Sequence, residues 1–165
     1  MMNIRHKSGF TMIELVIVTV LIGLIAAMAV PEFAGALQKI RWHSVSNEIV
    51  SALRLARSSA IAKQCQYGVD FDTERGTFTV FKDIVNKSSF TFDYGDSVVA
   101  VDSIAAEIDY LFASPSDRAI CFYPNGRAAD WGHIMGLHYT DEIYQTFTIS
   151  VLPATGRVAI EYMES

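Results

Sequence analysis

Beyond Gln66 the sequence is short of positive charge. Residues 67–165 hold six Lys/Arg (Arg75, Lys82, Lys87, Arg118, Arg127 and Arg157) against fifteen Asp/Glu, a formal charge of −9. That sign opposes phosphate binding, which draws its affinity from clustered Lys and Arg releasing counterions. Cysteine is scarce as well: Cys65 and Cys121 allow one intramolecular disulfide and no network. Cofactor and catalytic signatures are missing, with no nucleophile elbow, phosphate loop or dinucleotide fingerprint. Ser, His and Asp co-occur only as chance allows in 165 residues. No internal repeat or low-complexity tract is present, and the length suits one domain with an appendage.

What is abundant is apolar sequence at the front. Phe10 to Val30 contains a single charge, Glu14, and Pro31 follows. A helix of that length spans roughly 30 Å, the thickness of a bilayer core. The leader MMNIRHKSG carries Arg5 and Lys7, which favour a cytoplasmic start, although Lys39 and Arg41 on the far side weaken the bias. Three arrangements compete. The segment is a signal anchor, or a secretory signal cut near Ala27-Met28-Ala29, or a helix that loses only its leader. In the third, Phe10 becomes the amino terminus and Glu14 sits one helical turn from a free amine.

The stretch KSGFTMIELVIVTVLIGLIAAMAVPEF resembles the type IV prepilin signature. The matching features are a short basic leader ending in Gly9, then Phe10, Thr11, Glu14 and an apolar helix interrupted by Pro31. The resemblance implies cleavage between Gly9 and Phe10 by an inner-membrane prepilin peptidase and N-methylation of Phe10. It also implies a single pass through the bacterial inner membrane with a periplasmic head. Assembly with other pilins or pseudopilins, apolar stems innermost, would follow. An ionised carboxylate and an amine are each costly in hydrocarbon, and each becomes tolerable when paired with the other across subunits. Glu14 then sets the axial register between stems. The plainer alternative is that Glu14 snorkels to water.

Helical spacing continues past Pro31, which is expected to kink or open the helix without ending it. Phe33, Leu37 and Ile40 recur on one stripe; Val45, Ile49, Leu53, Ala56 and Ala60 continue on a second. A helix from Phe10 to about Lys63 would measure roughly 80 Å. From Tyr67 the period changes to two. YGVDFD and GTFTVFKD predict a hairpin closed by Asp72–Gly76. SFTFDY, SVVAVD, RAICFYP, QTFTISVL and GRVAIEYM predict further strands, the last two joined by Pro153–Gly156. The expected architecture is α+β and pilin-like: leader 1–9, membrane helix 10–30, amphipathic continuation 31–66, and an antiparallel β head over 67–165.

LRLARSSAIAKQCQYGVDFD, FYPNGRA and FTISVLPATGRVAI resemble GspH/FimT-type pilins, whereas residues 83–117 carry no motif that points to a family. Some FimT-type proteins bind DNA through Gly-Arg-x-Arg. The corresponding Gly156-Arg157-Val158-Ala159 lacks the second arginine, and with an acidic head this argues against a nucleic-acid partner. Arg127 and Arg157 read first as turn residues, then as subunit contacts. Asp70, Asp72 and Glu74 have Ca²⁺-loop spacing, but Arg75 and Phe81 stand where an EF-hand needs glycine and glutamate. His6, His43, His133 and His138 are scattered, and DWGHIMGLHY reads as an exposed loop over a packed Trp131. No metal or cofactor is expected. Cys65 and Cys121 leave a disulfide and two buried thiols equally open. The function expected is structural, a minor pseudopilin of a type II secretion system, with a type IV minor pilin as the alternative. A membrane-anchored periplasmic enzyme is the remote third.

Overall fold

The computed structural model describes residues 10–104, 108–114, 119–140 and 143–164. One helix, α1 (Met12–Lys63), precedes β1 (Tyr67–Asp72), β2 (Thr77–Lys82), β3 (Ser97–Ser103), β4 (Tyr110–Ser114), β5 (Ile120–Phe122), β6 (Gly132–Thr140), β7 (Ile143–Leu152) and β8 (Arg157–Glu164). The division into compact units falls inside α1, giving Met1–Ile40 and Arg41–Ser165. The leader, residues 1–9, lies outside the described residues.

In the first unit α1 is apolar and long enough over Met12–Val30 to cross a membrane, and none of that stretch is buried. A helix is the form expected there, because it satisfies its backbone hydrogen bonds internally without help from water. α1 continues through Pro31. Phe33, Leu37 and Ile40 are exposed.

The second unit is built on the other stripe. Val45, Ile49, Leu53, Ala56 and Ala60 are all buried, joined by Trp42, Val50 and Ala52. Two antiparallel four-stranded sheets contribute to the same core, in the orders β3-β2-β1-β5 and β4-β6-β7-β8. Tyr67, Val69, Val80 and Phe122 come from the first sheet; Ile134, Phe147, Ile149 and Val151 come from the second. Alternate residues of the first sheet point the other way. Phe81, Ala119 and Cys121 form a smaller cluster there, partly covered by Phe90 and Ala129.

Both expected hairpins are present. Asp72 pairs with Thr77, and its Oδ1 accepts the Glu74 and Arg75 N–H groups while Gly76 takes φ +61°. Leu152 pairs with Arg157 across a turn in which Gly156 takes φ +62°.

Two expectations fail. SFTFDY forms no strand. Its backbone is diverted by local carboxylates: Asp96 accepts the N–H groups of Ile84, Val85 and Asp93, and Asp93 accepts the Ser89 and Thr91 hydroxyls. Phe90 takes φ +56°, and Phe92 packs on Phe81 at 5.2 Å between ring centroids. The second failure is DWGHIMGLHY, which from Gly132 onward belongs to a nine-residue strand, β6, paired on both sides. Its inward positions are Gly132, Ile134 and Gly136, so glycine erases the apolar alternation that marks a strand. Trp131 does not pack beneath it and is 54% exposed. β4 escaped the sequence reading altogether.

Those glycines are there for space. A Cβ at Gly132 would come within 2.6 Å of Ile120, and one at Gly136 would run into the Phe147 ring. Gly136→Ala is therefore expected to destabilise the head by about 1–3 kcal/mol through overpacking. Urea denaturation of the detergent-solubilised protein measures it; an unchanged midpoint would show that the ring yields freely.

Candidate functional site

The stem begins at a cap. Thr11 precedes the first helical residue, and its Oγ1 accepts the Glu14 N–H at 3.3 Å. The Thr11 carbonyl accepts the Leu15 N–H at 3.2 Å. Thr11-Met12-Ile13-Glu14 thus has the spacing of a capping box, with Glu14 at the third helical position. A carboxylate in the first turn also faces the positive end of the helix dipole. Phe10 lies just outside the helix and is exposed. Gly9 falls outside the described residues. The Thr-x-x-Glu pattern was readable in the sequence but was overshadowed by the apolar run.

In the head, the two turns that carry Arg127 and Arg157 are brought together. Gly126 (φ +80°) and Gly156 (φ +62°) approach so closely that a Cβ on Gly156 would strike the Gly126 carbonyl oxygen. Arg57 of α1 joins them, Nε donating to the Gly126 carbonyl at 3.0 Å and Nη2 to the Thr155 carbonyl at 2.9 Å. The Ala128 N–H adds a bond to the Pro153 carbonyl at 3.1 Å. Arg57 was not singled out from sequence, where it is one of several charges between apolar helix positions.

Other nominated residues take structural places. Asp72 is spent on its hairpin turn and a 3.6 Å ion pair with Arg75. Burial, then the neighbouring Asp72, holds the Asp70 carboxyl above the usual range. His133 and His138 face opposite sides of β6. His133 stacks on Trp131, whereas His138 packs near Trp42 with Nδ1 3.1 Å from an Asp109 oxygen. His43 meets Tyr162 edge-on. His6 lies outside the described residues. Among the described residues no group of three or more His, Cys, Asp or Glu could hold a metal ion.

Both thiols are free, Cys65 packing against the helix-side core and Cys121 inside the cluster on the opposite face of the first sheet. Burial pushes the Cys121 thiol up to about 12, so it is held protonated and unreactive. Asp83 lies nearby and is only 1% exposed, with neither carboxyl oxygen hydrogen-bonded. Burial raises its pKa, the Asp96 and Asp93 charges add to the rise, and Lys87 opposes it. Folding therefore favours the protonated form of Asp83 relative to the unfolded chain. Its contribution to stability is full below about pH 4, the unfolded value, and is lost as pH climbs through the raised folded value. Asp83→Asn should stabilise the head at neutral pH, with the gain vanishing below about pH 4. Thermal melts of both proteins across pH measure this; a pH-independent gap would contradict it.

Comparison with known proteins bears on the stem and the head separately. The family model for the prokaryotic N-terminal methylation motif matches residues 4–30, a span that includes Gly9, Phe10 and Glu14. The family model for type II transport protein GspH matches residues 45–156, most of the head. No curated protein sequence matches the chain. Among solved structures, the type IV minor pilin FimU of Pseudomonas aeruginosa is similar with a TM-score of 0.55 at 16% identity, covering 72% of this chain and 87% of that one. That likeness concerns the fold, a helix packed on antiparallel sheets. With the GspH match spanning more than half its length, the chain belongs to the type II transport protein GspH family of pilin-like proteins.

Proposed function

We propose that this chain is a structural minor pseudopilin, a subunit of a type II secretion pseudopilus with no catalytic role. A prepilin peptidase removes residues 1–9 between Gly9 and Phe10, and Phe10 is N-methylated. The stem first anchors the protein in the inner membrane with its head in the periplasm. It then packs among the stems of other pseudopilins. The observation that carries this reading is the stem itself: a nineteen-residue stretch, none of it buried, apolar but for Thr19 and a single carboxylate in the first turn. A helix apolar on every side needs lipid or other apolar helices around it. Pro31, which lacks an N–H to donate, is the place where the stem bends or opens as it packs.

Glu14 pairs with the Phe10 amine of a neighbouring subunit. Removing one member of such a desolvated pair strands the other and costs about 3 kcal/mol or more. Glu14→Ala is accordingly expected to insert in the membrane and to be cleaved, yet its share of sheared filaments should fall at least about tenfold. Normal incorporation of that variant would remove Glu14 from the mechanism. Mass spectrometry of the mature protein should find N-methylated Phe10 at its start; an intact leader or a start near Val30 would refute the processing step.

The second reading is a minor pilin of a type IV pilus, supported by the fold shared with the minor pilin FimU. The two machines separate genetically. Deleting the gene should trap secreted proteins in the periplasm on the first reading and abolish surface pili on the second.

A further inference from the structure

Two clefts adjoin at the β7–β8 turn, and Thr155 lines both. The first, about 630 Å³, is bounded by α1 on one side and the turn on the other, and Arg54, Arg57, Ser58 and Arg157 supply its polar wall. The second, about 340 Å³, is lined by Arg127 and by the apolar surfaces of Trp131, Leu152 and Pro153. Among the described residues no carboxylate lines either cleft. This is a local reversal of sign, four arginines gathered on a head whose strands and loops carry −9. Arg57 is fixed by its bonds to Gly126 and Thr155, which use two of the five N–H donors of its guanidinium. Arg54 and Arg157 are exposed.

We infer that these paired clefts seat an acidic polypeptide segment of a partner protein, its carboxylates among Arg54, Arg57 and Arg157 and one apolar side chain against Trp131. Guanidinium forks match carboxylates in two-point hydrogen bonding, and an arginine already held in place loses less entropy on binding. Trp131 projects a half-exposed indole beside Pro153. Tryptophan and arginine are the side chains that most often dominate interface energetics. Nucleic acid fits less well. Its affinity needs positive charge tracking many phosphates, whereas these arginines occupy one end of an acidic head.

The inference rests on the assembly reading only in taking another protein as the partner. It is read in the head, whereas the Glu14 test is read in the stem, so either can fail alone. The experiment uses the full chain in detergent and three fluorescent probes at fixed salt: a short peptide of glutamates with one central leucine, the same peptide with glutamine for glutamate, and oligo-dT. The glutamate peptide should bind at least about tenfold more tightly than the glutamine peptide and than oligo-dT. The double substitution R54Q/R157Q should remove that preference, and Trp131→Ala should weaken the glutamate peptide without changing its salt dependence. These three side chains are exposed, so melting temperatures should stay within a few degrees of the parent. Equal binding of the two peptides, no binding, or binding unaffected by R54Q/R157Q would overturn the inference. Tighter binding of oligo-dT would overturn it in favour of a nucleic-acid site.

Discussion

Burial of one helical stripe, from Trp42 to Ala60, is the interaction on which the head depends. Both sheets pack on it, the first through Tyr67, Val69 and Val80, the second through Ile134, Phe147 and Ile149. Removal of this apolar surface from water is the dominant favourable term, and it requires the helix and both sheets at once. Ala56 and Ala60 are fully buried, small side chains that let strands approach the helix axis. Polar contacts then fix the ends of the stripe. Near its start the buried Ser46 hydroxyl meets the Tyr162 hydroxyl at 2.8 Å; near its end Arg57 holds two turns. The helix that organises the core therefore also builds one wall of the arginine cleft.

The same helix has to satisfy two different surroundings. From Trp42 onward its buried apolar residues form a stripe, and charges such as Glu48 and Arg54 lie off it, exposed. Before Val30 there is no polar face, and every residue of the stretch is open. A stripe suits a helix covered on one side by sheets; apolar character all round suits lipid or a bundle of like stems. The change of pattern, rather than any break in the backbone, marks where one requirement gives way to the other, because α1 continues from Met12 to Lys63.

How much of this could be read from the sequence depended on where apolar periodicity was intact. The helix stripe and the hairpins at Asp72–Gly76 and Pro153–Gly156 were legible because side-chain period and turn chemistry agreed. β6 was hidden because Gly132 and Gly136 replace the inward apolar residues, and the reason lies in Ile120 and Phe147 on other strands. SFTFDY misled in the opposite direction: its alternation is real, but Phe90 and Phe92 serve packing over a sheet face while Asp93 and Asp96 take the backbone donors. Gly9, Phe10 and Glu14 lie within a motif that is local in sequence and so legible without the fold. The arginine cleft is not. Arg54, Arg57 and Arg157 come together only when a turn about a hundred residues away returns to α1.

On the assembly proposed above, the capped start of the stem separates two tasks that fall on Glu14. Its backbone N–H is one of the donors left over at any helix start, and Thr11 accepts it. That bond belongs to the single chain and needs no neighbour. The carboxylate would face a different problem if the Gly9–Phe10 bond is cut as proposed. The new ammonium would stand at the positive end of the α1 dipole, where a cation is disfavoured. One chain's own Glu14 can offset that charge, but pairing within a subunit would not distinguish one packing of stems from another. Pairing with the next subunit's amine does distinguish them, since a shift by one helical turn, about 5.4 Å, would part the charges in a medium that punishes the separation. A carboxylate carried on a capped first turn would thus suit the proposed register role better than one on a frayed end, and the Thr11 hydroxyl supplies that cap.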